Sequence, residues 1–364
     1  MPTLKQHNIG GLNLKTSPLL SSDGQVLRAL NVERDLNGAW TKRQGYTTYL
    51  GTPDNAQVTS LFSWMQNDGS TFHTYRKSGG TLYYSTAGTG DWTISGAGTL
   101  TANSHVGYSI LDNTMIIGDG TAATRHTTTG TSFTSTSGDP LDEHFTEYQG
   151  RVWAARGTAV SGTNTDLFYS TTGTATDWTT DSSSIRIPGA GRVNSVYKVG
   201  GNLTPTKDSG LVFTFDGYNL LDNANNFGPT SPYSLGSFAD AKFFLNRRGV
   251  FQHVGGVPQL KSLPVERQIF NNAGSGIAGT VFDNAPGVVH KYDYFVGVGT
   301  VTDDLTEYTV ANAVLKYDIR TDEWVNWKFA DRPYSFHSFR DKDGIDQLIF
   351  GDNGGQCYKL SGTT

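Results

Sequence analysis

The segment LYYSTAGTGDW (residues 82–92) contains a pattern that returns twice further along the chain, as LFYSTTGTATDW (residues 167–178) and LKYDIRTDEW (residues 315–324). Each version is an apolar strand with a tyrosine, then a polar turn that contains threonine, then an acidic residue directly before a tryptophan. Two strands joined by a tight turn, with tyrosine and tryptophan packed on one face, form the outer hairpin of a four-stranded sheet. The repeat therefore predicts similar sheets in series, with Trp92, Trp178 and Trp324 packed in their cores.

A second pattern consists of a strand, a turn and a strongly apolar strand, and it predicts the inner pair of strands in each sheet. The segments that carry it are SILDNTMIIGDG, FTEYQGRVWAARG, SGLVFTFDG, AKFFLNRRGVF, KYDYFVGVG and DQLIFGDNG. The best helical window, residues 141–156, is interrupted by Gly150 and is also interpreted as strand, turn and strand.

Together the two patterns divide the chain into units of the length expected for propeller blades. The seven units are residues 57–96, 101–137, 141–188, 192–227, 233–272, 275–330 and 333–362. The sequence therefore predicts an all-β protein with the fold of a seven-bladed β-propeller. Six or eight blades also fit the spacing, and two β-sandwiches or a solenoid remain as alternatives.

The last unit supplies about three strands, whereas a closed propeller needs a fourth one there. The unattached β segment is NVERDLNGAWTKRQGYTTYL (residues 31–50). We therefore expect residues 30–50 to complete the last blade by pairing beside residues 347–360, in a propeller domain that spans residues 30–364 and follows an amino-terminal arm, residues 1–29.

Composition supports an all-β chain and argues against several function classes. The 364 residues include 44 glycines, with 36% hydrophobic and 17% charged residues. A net charge of −5 provides no basic field for phosphates, so sequence-specific nucleic-acid binding is not expected. The single cysteine, Cys357, excludes an internal disulfide framework. The first residues have no apolar core of a signal peptide and no segment has the length of a membrane span, so we expect no membrane insertion.

The amino-terminal residues also carry a family resemblance. They contain, in order, GGLN (residues 10–13), SPL (17–19), LNVE (30–33), Asp35, Gly38 and KRQGY (42–46). This order resembles the amino termini of bacteriophage virion proteins of the tail-nozzle and head-completion type, a β-propeller family that includes podovirus tail tubular protein B and DNA-stabilisation proteins. Residues 111–125 and 178–221 are similar to blades of that family. The chain is shorter than typical podovirus nozzle proteins, so large inserted tip domains are not expected.

The resemblance implies a structural protein of the virion, at the tail nozzle or the head-to-tail junction, that is assembled in the host cytoplasm. Its implied partners are identical subunits in a homo-oligomeric ring, with a hexamer as the implied size, and portal, adaptor or other tail proteins and tail fibres. Genomic DNA would pass during ejection without sequence-specific binding. Because the channel of one propeller is too narrow for duplex DNA, the conduit would be the hole of the ring.

Two groups of amino-terminal residues are candidates for structural or interface roles. The arm contains Leu12, Asn13 and Leu14 among apolar residues that it cannot bury by itself, so we expect it to lie against the propeller or a neighbouring subunit. In KRQGY, Gly45 would permit a tight or positive-φ backbone at a strand edge, and Lys42 and Arg43 would place charge beside that edge. A structural role is sufficient for all five residues, including Tyr46.

Motifs of enzymes, cofactors and metals are weak in this sequence. Residues 85–92 have the serine and tryptophan spacing of a sialidase Asp-box, but Ala87 replaces the aspartate. Carboxylate pairs at Asp142-Glu143 and at Asp303-Asp304 with Glu307 could serve glycoside cleavage, although solvent-exposed surface is the simpler interpretation. DKDGID (residues 341–346) resembles half of a calcium loop, but a hairpin turn explains it equally well. We expect no catalytic, cofactor or metal site; the alternatives are a carbohydrate-binding or host-recognition propeller and, third, a secreted glycosidase.

Overall fold

Runs of β-branched and aromatic residues between glycine-rich and aspartate-rich turns form a seven-bladed β-propeller, in which every blade is a four-stranded antiparallel sheet. The computed structural model describes residues 29–34, 39–86, 88, 90–135, 140–155, 165–180, 183–270, 277–303 and 308–361. The predicted fold class and blade number are therefore confirmed, and each predicted unit contains one sheet.

The strands are numbered along the chain, and six of the seven blades consist of four consecutive strands. Blade 1 contains β4 (Val58–Met65), β5 (Phe72–Ser78), β6 (Thr81–Thr86) and β7 (Thr93–Ile94). Blade 2 contains β8 (Gly107–Leu111), β9 (Thr114–Gly118), β10 (Arg125–Thr127) and β11 (Thr134–Ser135). Blade 3 contains β12 (His144–Tyr148), β13 (Arg151–Ala155), β14 (Asp166–Tyr169) and β15 (Ser183–Arg186).

Blades 4 to 6 continue this arrangement. Blade 4 contains β16 (Val193–Val199), β17 (Asn202–Lys207), β18 (Val212–Phe215) and β19 (Leu220–Ala224). Blade 5 contains β20 (Gly236–Phe238), β21 (Ala241–Asn246), β22 (Gly249–His253) and β23 (Gln259–Leu260). Blade 6 contains β24 (Gly287–His290), β25 (Asp293–Asp303), β26 (Tyr308–Asp318) and β27 (Glu323–Lys328).

The described helices are short and lie in connections before the innermost strands of blades 5 and 6. The 3-10 helices are Pro232–Ser234 and Leu263–Val265, and the α-helices are α1 (Glu266–Ile269) and α2 (Gly279–Asn284). No described helix has the length and apolar character that crossing a membrane requires.

Blade 7 closes the propeller by combining both ends of the chain. It contains β28 (Ser335–Arg340), β29 (Asp346–Gly351) and β30 (Cys357–Ser361), and its fourth strand is β3 (Gly45–Thr48). β3 pairs with β30 in antiparallel register, from Gly45 opposite Ser361 to Thr48 opposite Tyr358. The prediction that an amino-terminal strand closes the ring beside the last blade is confirmed.

The segment that closes the propeller is shorter than the predicted residues 30–50. Residues before Gly45 form a separate two-stranded sheet, β1 (Val32–Arg34) and β2 (Trp40–Lys42), which pack beside the outer strand of blade 6. A parallel bridge between Leu30 and Asn326 fixes this hairpin to β27. The tight backbone expected at Gly45 is also absent, because Gly45 lies within β3 and is paired.

Most of the inner-pair segments lie on the first and second strands of their blades, as predicted, but two do not. SGLVFTFDG contains β18, which is the third strand of blade 4, and AKFFLNRRGVF contains β21 and β22, the second and third strands of blade 5. Both segments are strongly apolar because the second and third strands are as deeply buried as the first. Apolar content alone therefore does not distinguish inner from middle strands.

Glycines allow the innermost strands of neighbouring blades to approach one another closely. A Cβ atom on Gly107, at the start of β8, would overlap the carbonyl oxygen of Glu143 before β12. A Cβ atom on Gly236 in β20 would lie 2.8 Å from the backbone nitrogen of Val289 in β24. These contacts are backbone to backbone, so a side chain at either position would separate two blades.

Candidate functional site

Two faces of the propeller follow from its topology. The turn face carries the turns that join the first strand to the second in every blade and the third strand to the fourth in blades 1 to 6. The loop face carries the turns that join the second strand to the third and the connections that lead to the innermost strand of the next blade. We call residues 29–34 and 39–48 the amino-terminal latch. The latch, the axis and the turn face contain the candidate functional residues.

Arg43 is the central side chain of the latch. Its Nε donates a hydrogen bond of 2.9 Å to Asn31 Oδ1, and its Nη2 donates one of 2.9 Å to the carbonyl oxygen of Lys328 at the end of β27. The guanidinium lies 4.9 Å from the ring centroid of Phe329 and 5.5 Å from that of Trp327. A planar guanidinium is suited to this combination of directed hydrogen bonds and aromatic stacking. Arg43 therefore joins the hairpin to blade 6.

Asn31 completes the junction from the other side. Its backbone has a φ of 55°, a left-handed conformation that asparagine tolerates better than most residues. Its Oδ1 accepts a second hydrogen bond, of 2.8 Å, from the backbone nitrogen of Lys328. Val32 contributes its carbonyl oxygen, which accepts a 3.1 Å hydrogen bond from Trp327 Nε1. The motif residues LNVE are thus bound to β27.

Tyr46 lies in β3 and packs between blades 6 and 7. Its ring contacts those of Phe329, Phe350 and Tyr358, with centroid distances between 5.3 and 5.4 Å. Its hydroxyl accepts a hydrogen bond of 3.1 Å from the backbone nitrogen of Ala330. Lys42, in contrast, is exposed. Of the four candidates in KRQGY, Arg43, Gly45 and Tyr46 therefore have structural positions in the closure.

A buried charge cluster lies beneath the hairpin. The Lys316 ammonium is 3.1 Å from Asp293 Oδ2 and 3.9 Å from Glu33 Oε2, and only 5% of its side chain is exposed. Burial raises the pKa of Asp293 to about 6, against the opposing effect of Lys316. Burial also raises the pKa of Glu33, again opposed mainly by Lys316. We therefore expect the attachment of the hairpin to blade 6 to depend on pH.

The three repeat tryptophans differ in position and in burial: Trp92 and Trp178 precede the outermost strands of blades 1 and 3, and Trp324 lies within the outermost strand of blade 6. Trp324 is fully buried, with its Nε1 donating to the carbonyl oxygen of Lys261. Trp92 and Trp178 are half-buried and pack against the edges of hydrophobic clusters. Trp92 also stacks with Arg76, whose guanidinium is 5.1 Å from the Trp92 ring centroid. All three positions are explained by packing between and within blades.

Leu12, Asn13 and Leu14, the candidates in the amino-terminal arm, lie outside the described residues.

The axis of the propeller holds a small cavity at the loop face, with a volume of about 130 Å³. Its lining is aromatic, imidazole and hydroxyl in character and comes from the starts of the innermost strands, including Thr59, Ser60, His105, His144, Tyr233, Tyr334 and Phe336. Thr59 is buried and its Oγ1 has no hydrogen-bond partner. The cavity therefore offers polar and aromatic contacts to a small molecule.

Tyr233 crosses the axis at this cavity. It precedes blade 5, yet its ring stacks on that of His105 before blade 2, with centroids 3.4 Å apart. Its hydroxyl donates a hydrogen bond to Glu143 Oε1, before blade 3. No local motif marks this cluster in the sequence, because its members are up to 128 residues apart.

The carboxylate pair Asp142-Glu143 was expected to be exposed, and this prediction is wrong. Both residues are buried at the loop face, where Glu143 accepts the hydrogen bond from Tyr233. Lys77, also buried, lies near enough to Glu143 for the two charges to interact, and burial lowers its pKa to about 8. The carboxylates thus participate in a packed polar network.

The remaining chemical candidates have simpler positions. Residues 304–307 lie outside the described residues. DKDGID contains the turn between β28 and β29, in which Asp341 Oδ1 accepts hydrogen bonds from the backbone nitrogens of Asp343 and Ile345. In the part of the chain that the structure describes, no three His, Cys, Asp or Glu residues are grouped as a metal site.

Two serine–histidine hydrogen bonds join innermost strands of adjacent blades. Ser63 Oγ lies 2.8 Å from His337 Nε2, and Ser338 Oγ lies 2.9 Å from His290 Nδ1. Burial lowers the pKa of His337 to about 3 and that of His290 to about 4. Since a general base works best with a pKa near the operating pH, these imidazoles are weak bases, and their hydrogen bonds are suited to holding blades together.

Comparisons with known proteins agree with the fold. Two solved structures are similar over most of both chains: YCF48 bound to D1 peptide, with 13% identity, a TM-score of 0.52 and coverage of 88% of this chain and 98% of that one, and YCF48 from Cyanidioschyzon merolae, with 11% identity, a TM-score of 0.52 and coverage of 86% and 98%. At these identities the likeness concerns the fold alone. No family model matches the chain. No curated protein matches it.

Proposed function

We propose that this chain is a structural protein of a bacteriophage virion, located at the tail nozzle or the head-to-tail junction, where identical subunits form a ring around the path of ejected DNA. The observation that carries the proposal is the latch. Asn31, Glu33, Arg43, Gly45 and Tyr46 belong to the motifs that resemble the virion proteins, and all five meet in the latch. Motif residues that close the propeller and form no catalytic arrangement favour a structural role.

The latch also fixes where the arm begins. Ala29 is buried against the outer strand of blade 6, and its carbonyl oxygen accepts a hydrogen bond of 2.9 Å from the backbone nitrogen of Asn326. Residues 1–28 are therefore joined to the propeller at its rim. In a ring of propellers the rim is where neighbouring subunits meet, so this attachment point supports a role of the arm in assembly.

The hole of such a ring, and not the propeller axis, would carry DNA. Tyr233 crosses the axis, and the cavity beside it has a volume of only about 130 Å³. The net charge of −5 suits a conduit wall, because a lysine-rich wall would release counterions, bind phosphates and slow the passage of DNA. Portal, adaptor or other tail proteins and fibres would bind the two faces of the ring.

The proposal predicts oligomers that depend on the arm. Analytical ultracentrifugation of the full-length protein should show one oligomer of fixed stoichiometry. A variant that lacks residues 2–20 should sediment as a folded monomer with an unchanged β circular-dichroism spectrum. A deletion variant that still forms the oligomer would contradict the role of the arm. A full-length protein that remains monomeric at every concentration would count against the ring.

A second function, carbohydrate or host-receptor recognition, is favoured by the axial cavity alone. Its aromatic side chains, such as Tyr334 and Phe336, and its hydroxyl groups, such as that of Thr59, are the kinds of group that bind sugar rings. A glycan array with micromolar or tighter binding, lost in Tyr233→Ala and kept in the exposed-site variant Ile345→Ala, would favour this function. Turnover of a glycan abolished by Glu143→Gln would instead favour a glycosidase.

A further inference from the structure

The exposed apolar side chains of the propeller are concentrated on one sector of the turn face. Five large apolar residues there expose between 48% and 92% of their surface: Tyr218, Leu221, Val254, Val257 and Tyr292. They belong to three consecutive blades, 4 to 6. We call these five residues the apolar sector. Single exposed apolar residues are common on protein surfaces, but a cluster on one sector indicates a covered surface.

Contacts between turns connect this sector across the blades. A Cβ atom on Gly200, in a turn of blade 4, would lie 3.4 Å from the carbonyl oxygen of Val254 in blade 5. Between blades 5 and 6, the rings of Phe238 and Tyr292 have centroids 5.8 Å apart. The three blades therefore present neighbouring turns, over which one extended segment could lie.

The turn face is also acidic. Its described turns contain nine aspartates and three basic residues, and those of blades 4 to 6 alone contain three aspartates and two basic residues. The aspartates are Asp68, Asp91, Asp112, Asp177, Asp216, Asp240, Asp322, Asp341 and Asp343, and the basic residues are Lys291, Arg320 and Lys342. Hydrogen bonds from backbone nitrogens, chiefly that of Asn219, hold the pKa of Asp216 below its usual range. Asp216, which lies beside Tyr218 in the sector, thus stays charged at neutral pH and favours a basic partner.

The direction of the chain at Ala29 points to this face. Residues 29–31 run parallel to β27, because Asn326 accepts a hydrogen bond from Asn31 and donates one to Ala29. β27 begins at Glu323, directly after a turn of the turn face. The amino-terminal end of the latch is consequently directed toward the turn face of blade 6, at one end of the apolar sector.

The segment that precedes Ala29 has the complementary chemistry. Residues 1–28 contain Lys5, Lys15 and Arg28 against a single acidic residue, Asp23. They also contain the apolar residues Leu4, Ile9, Leu12, Leu14, Leu19 and Leu20. Fully extended, 28 residues span about 90–100 Å, which is ample to cross three blades. Tethering at Ala29 gives the segment a high effective concentration at its own propeller.

We propose that residues 1–28 bind the apolar sector of blades 4 to 6 on the turn face of their own chain. The leucines and Ile9 cover the sector, and the basic residues of the arm face the aspartates of the surrounding turns. This binding takes place within one subunit, and the arm placed in this way forms part of the surface that a neighbouring subunit of the proposed ring would contact.

Limited proteolysis of the full-length protein tests the surface. Cleavage by trypsin after Lys15 should be about tenfold faster in the double variant Val254→Ser/Val257→Ser than in the wild type, because the arm is released from the sector. The control is Ile345→Ser, which changes an exposed apolar residue on blade 7 of the same face and should leave the rate unchanged. Equal cleavage rates in all three proteins would overturn the proposal.

Hydrogen exchange tests whether the arm covers the apolar sector. It also shows whether the arm binds its own chain or another copy. In the variant Leu12→Ser/Leu14→Ser/Leu19→Ser/Leu20→Ser, backbone amides of residues 216–219 and 254–257 should exchange severalfold faster than in the wild type. Amides of residues 341–345 and of the blade interiors should be unchanged, which shows that the variant is folded. The difference should be the same at protein concentrations tenfold apart. A difference that appears only at the higher concentration, or no difference, would overturn binding within one chain.

Discussion

At the scale of single residues, the pair Lys42 and Arg43 shows how two adjacent basic residues acquire different roles. Arg43 is half-buried, hydrogen-bonded to Asn31 and Lys328, and stacked on Phe329, whereas Lys42 is exposed. The two side chains alternate across the end of a strand, so only one of them can face blade 6. Charge at this position is therefore less important than the shape of the guanidinium.

Replacing Arg43 by lysine should destabilise the protein. An ammonium cannot reproduce the hydrogen bonds to Asn31 and Lys328 together with the aromatic stacking, so we expect a loss of about 1–3 kcal/mol in the free energy of unfolding. Urea denaturation measures it. The matched control is Lys42→Ala, which should stay within about 0.5 kcal/mol of the wild type. Equal effects of the two changes would contradict the assigned role of Arg43.

Because the pKa of Asp293 is raised, we expect the free energy of unfolding to depend on pH in a definite direction. Between the ordinary pKa of an aspartate and about 6, the folded protein keeps a proton on Asp293 that the unfolded chain has already released. The contribution of Asp293 to stability is therefore present at low pH and decreases as the pH rises through this window.

Between pH 4 and 6, the free energy of unfolding should decrease less in the variant Asp293→Asn than in the wild type. The difference should be on the order of 1 kcal/mol. A part of the decrease should remain, because the pKa of Glu33 is also raised. Denaturation at a series of pH values measures the slope, and the exposed residue change Asp240→Asn serves as control. A slope in Asp293→Asn that is identical to the wild type would show that Asp293 does not titrate in this window.

At the scale of strands and turns, the spacing between blades depends on backbone contacts at glycines. Gly107 begins the innermost strand of blade 2 and faces the carbonyl group of Glu143. The same short segment places Glu143 for its hydrogen bond with Tyr233. The approach of blades 2 and 3 and the arrangement of the axial cavity are thus coupled.

The change Gly107→Ala should cost about 3 kcal/mol, since the added methyl group has no space and the backbone that it meets cannot rotate away. Thermal unfolding measures the loss. Gly279→Ala is the matched control, because a Cβ atom there meets nothing within 4 Å and the residue begins α2. The control should be neutral or stabilising by up to about 1 kcal/mol. A Gly107→Ala protein as stable as the control would refute the close contact.

Strands were easier to predict than their places within a blade. The alternation of apolar runs with Gly, Asn and Asp turns is local, so β8 and β9, or β12 and β13, could be recognised from residues 109–120 and 145–157. The order of strands in blade 5 depends on packing against blades 4 and 6. The apolar content of residues 241–251 does not indicate which strand is innermost. The split of residues 31–50 into a hairpin and a closing strand likewise depends on the contacts of Arg43 with blade 6.

At the scale of the whole molecule, the closure of the propeller was predictable because it follows from counting. Seven units with one strand missing require a partner for β30, and the amino-terminal β segment was available to supply it. The axial cavity was not predictable, because His105, Glu143 and Tyr233 converge only after the ring has closed. The apolar sector was not predictable for the same reason, since its five residues lie in turns and at the start of an outer strand of three different blades.

In the proposed ring, the latch would connect the closure of the propeller with the assembly of subunits. One short segment closes blade 7 through β3, binds blade 6 through Asn31 and Arg43, and fixes the start of the arm at Ala29. Subunits whose arm is anchored at the rim can be linked into a ring without any change in the propeller. The ring is the central claim about function.

Electron microscopy of the purified full-length protein tests that claim most directly. We expect ring-shaped particles of one fixed symmetry, with a propeller in each subunit and a central hole wide enough for duplex DNA. Class averages that show only single propellers, or open filaments without a closed symmetry, would contradict it.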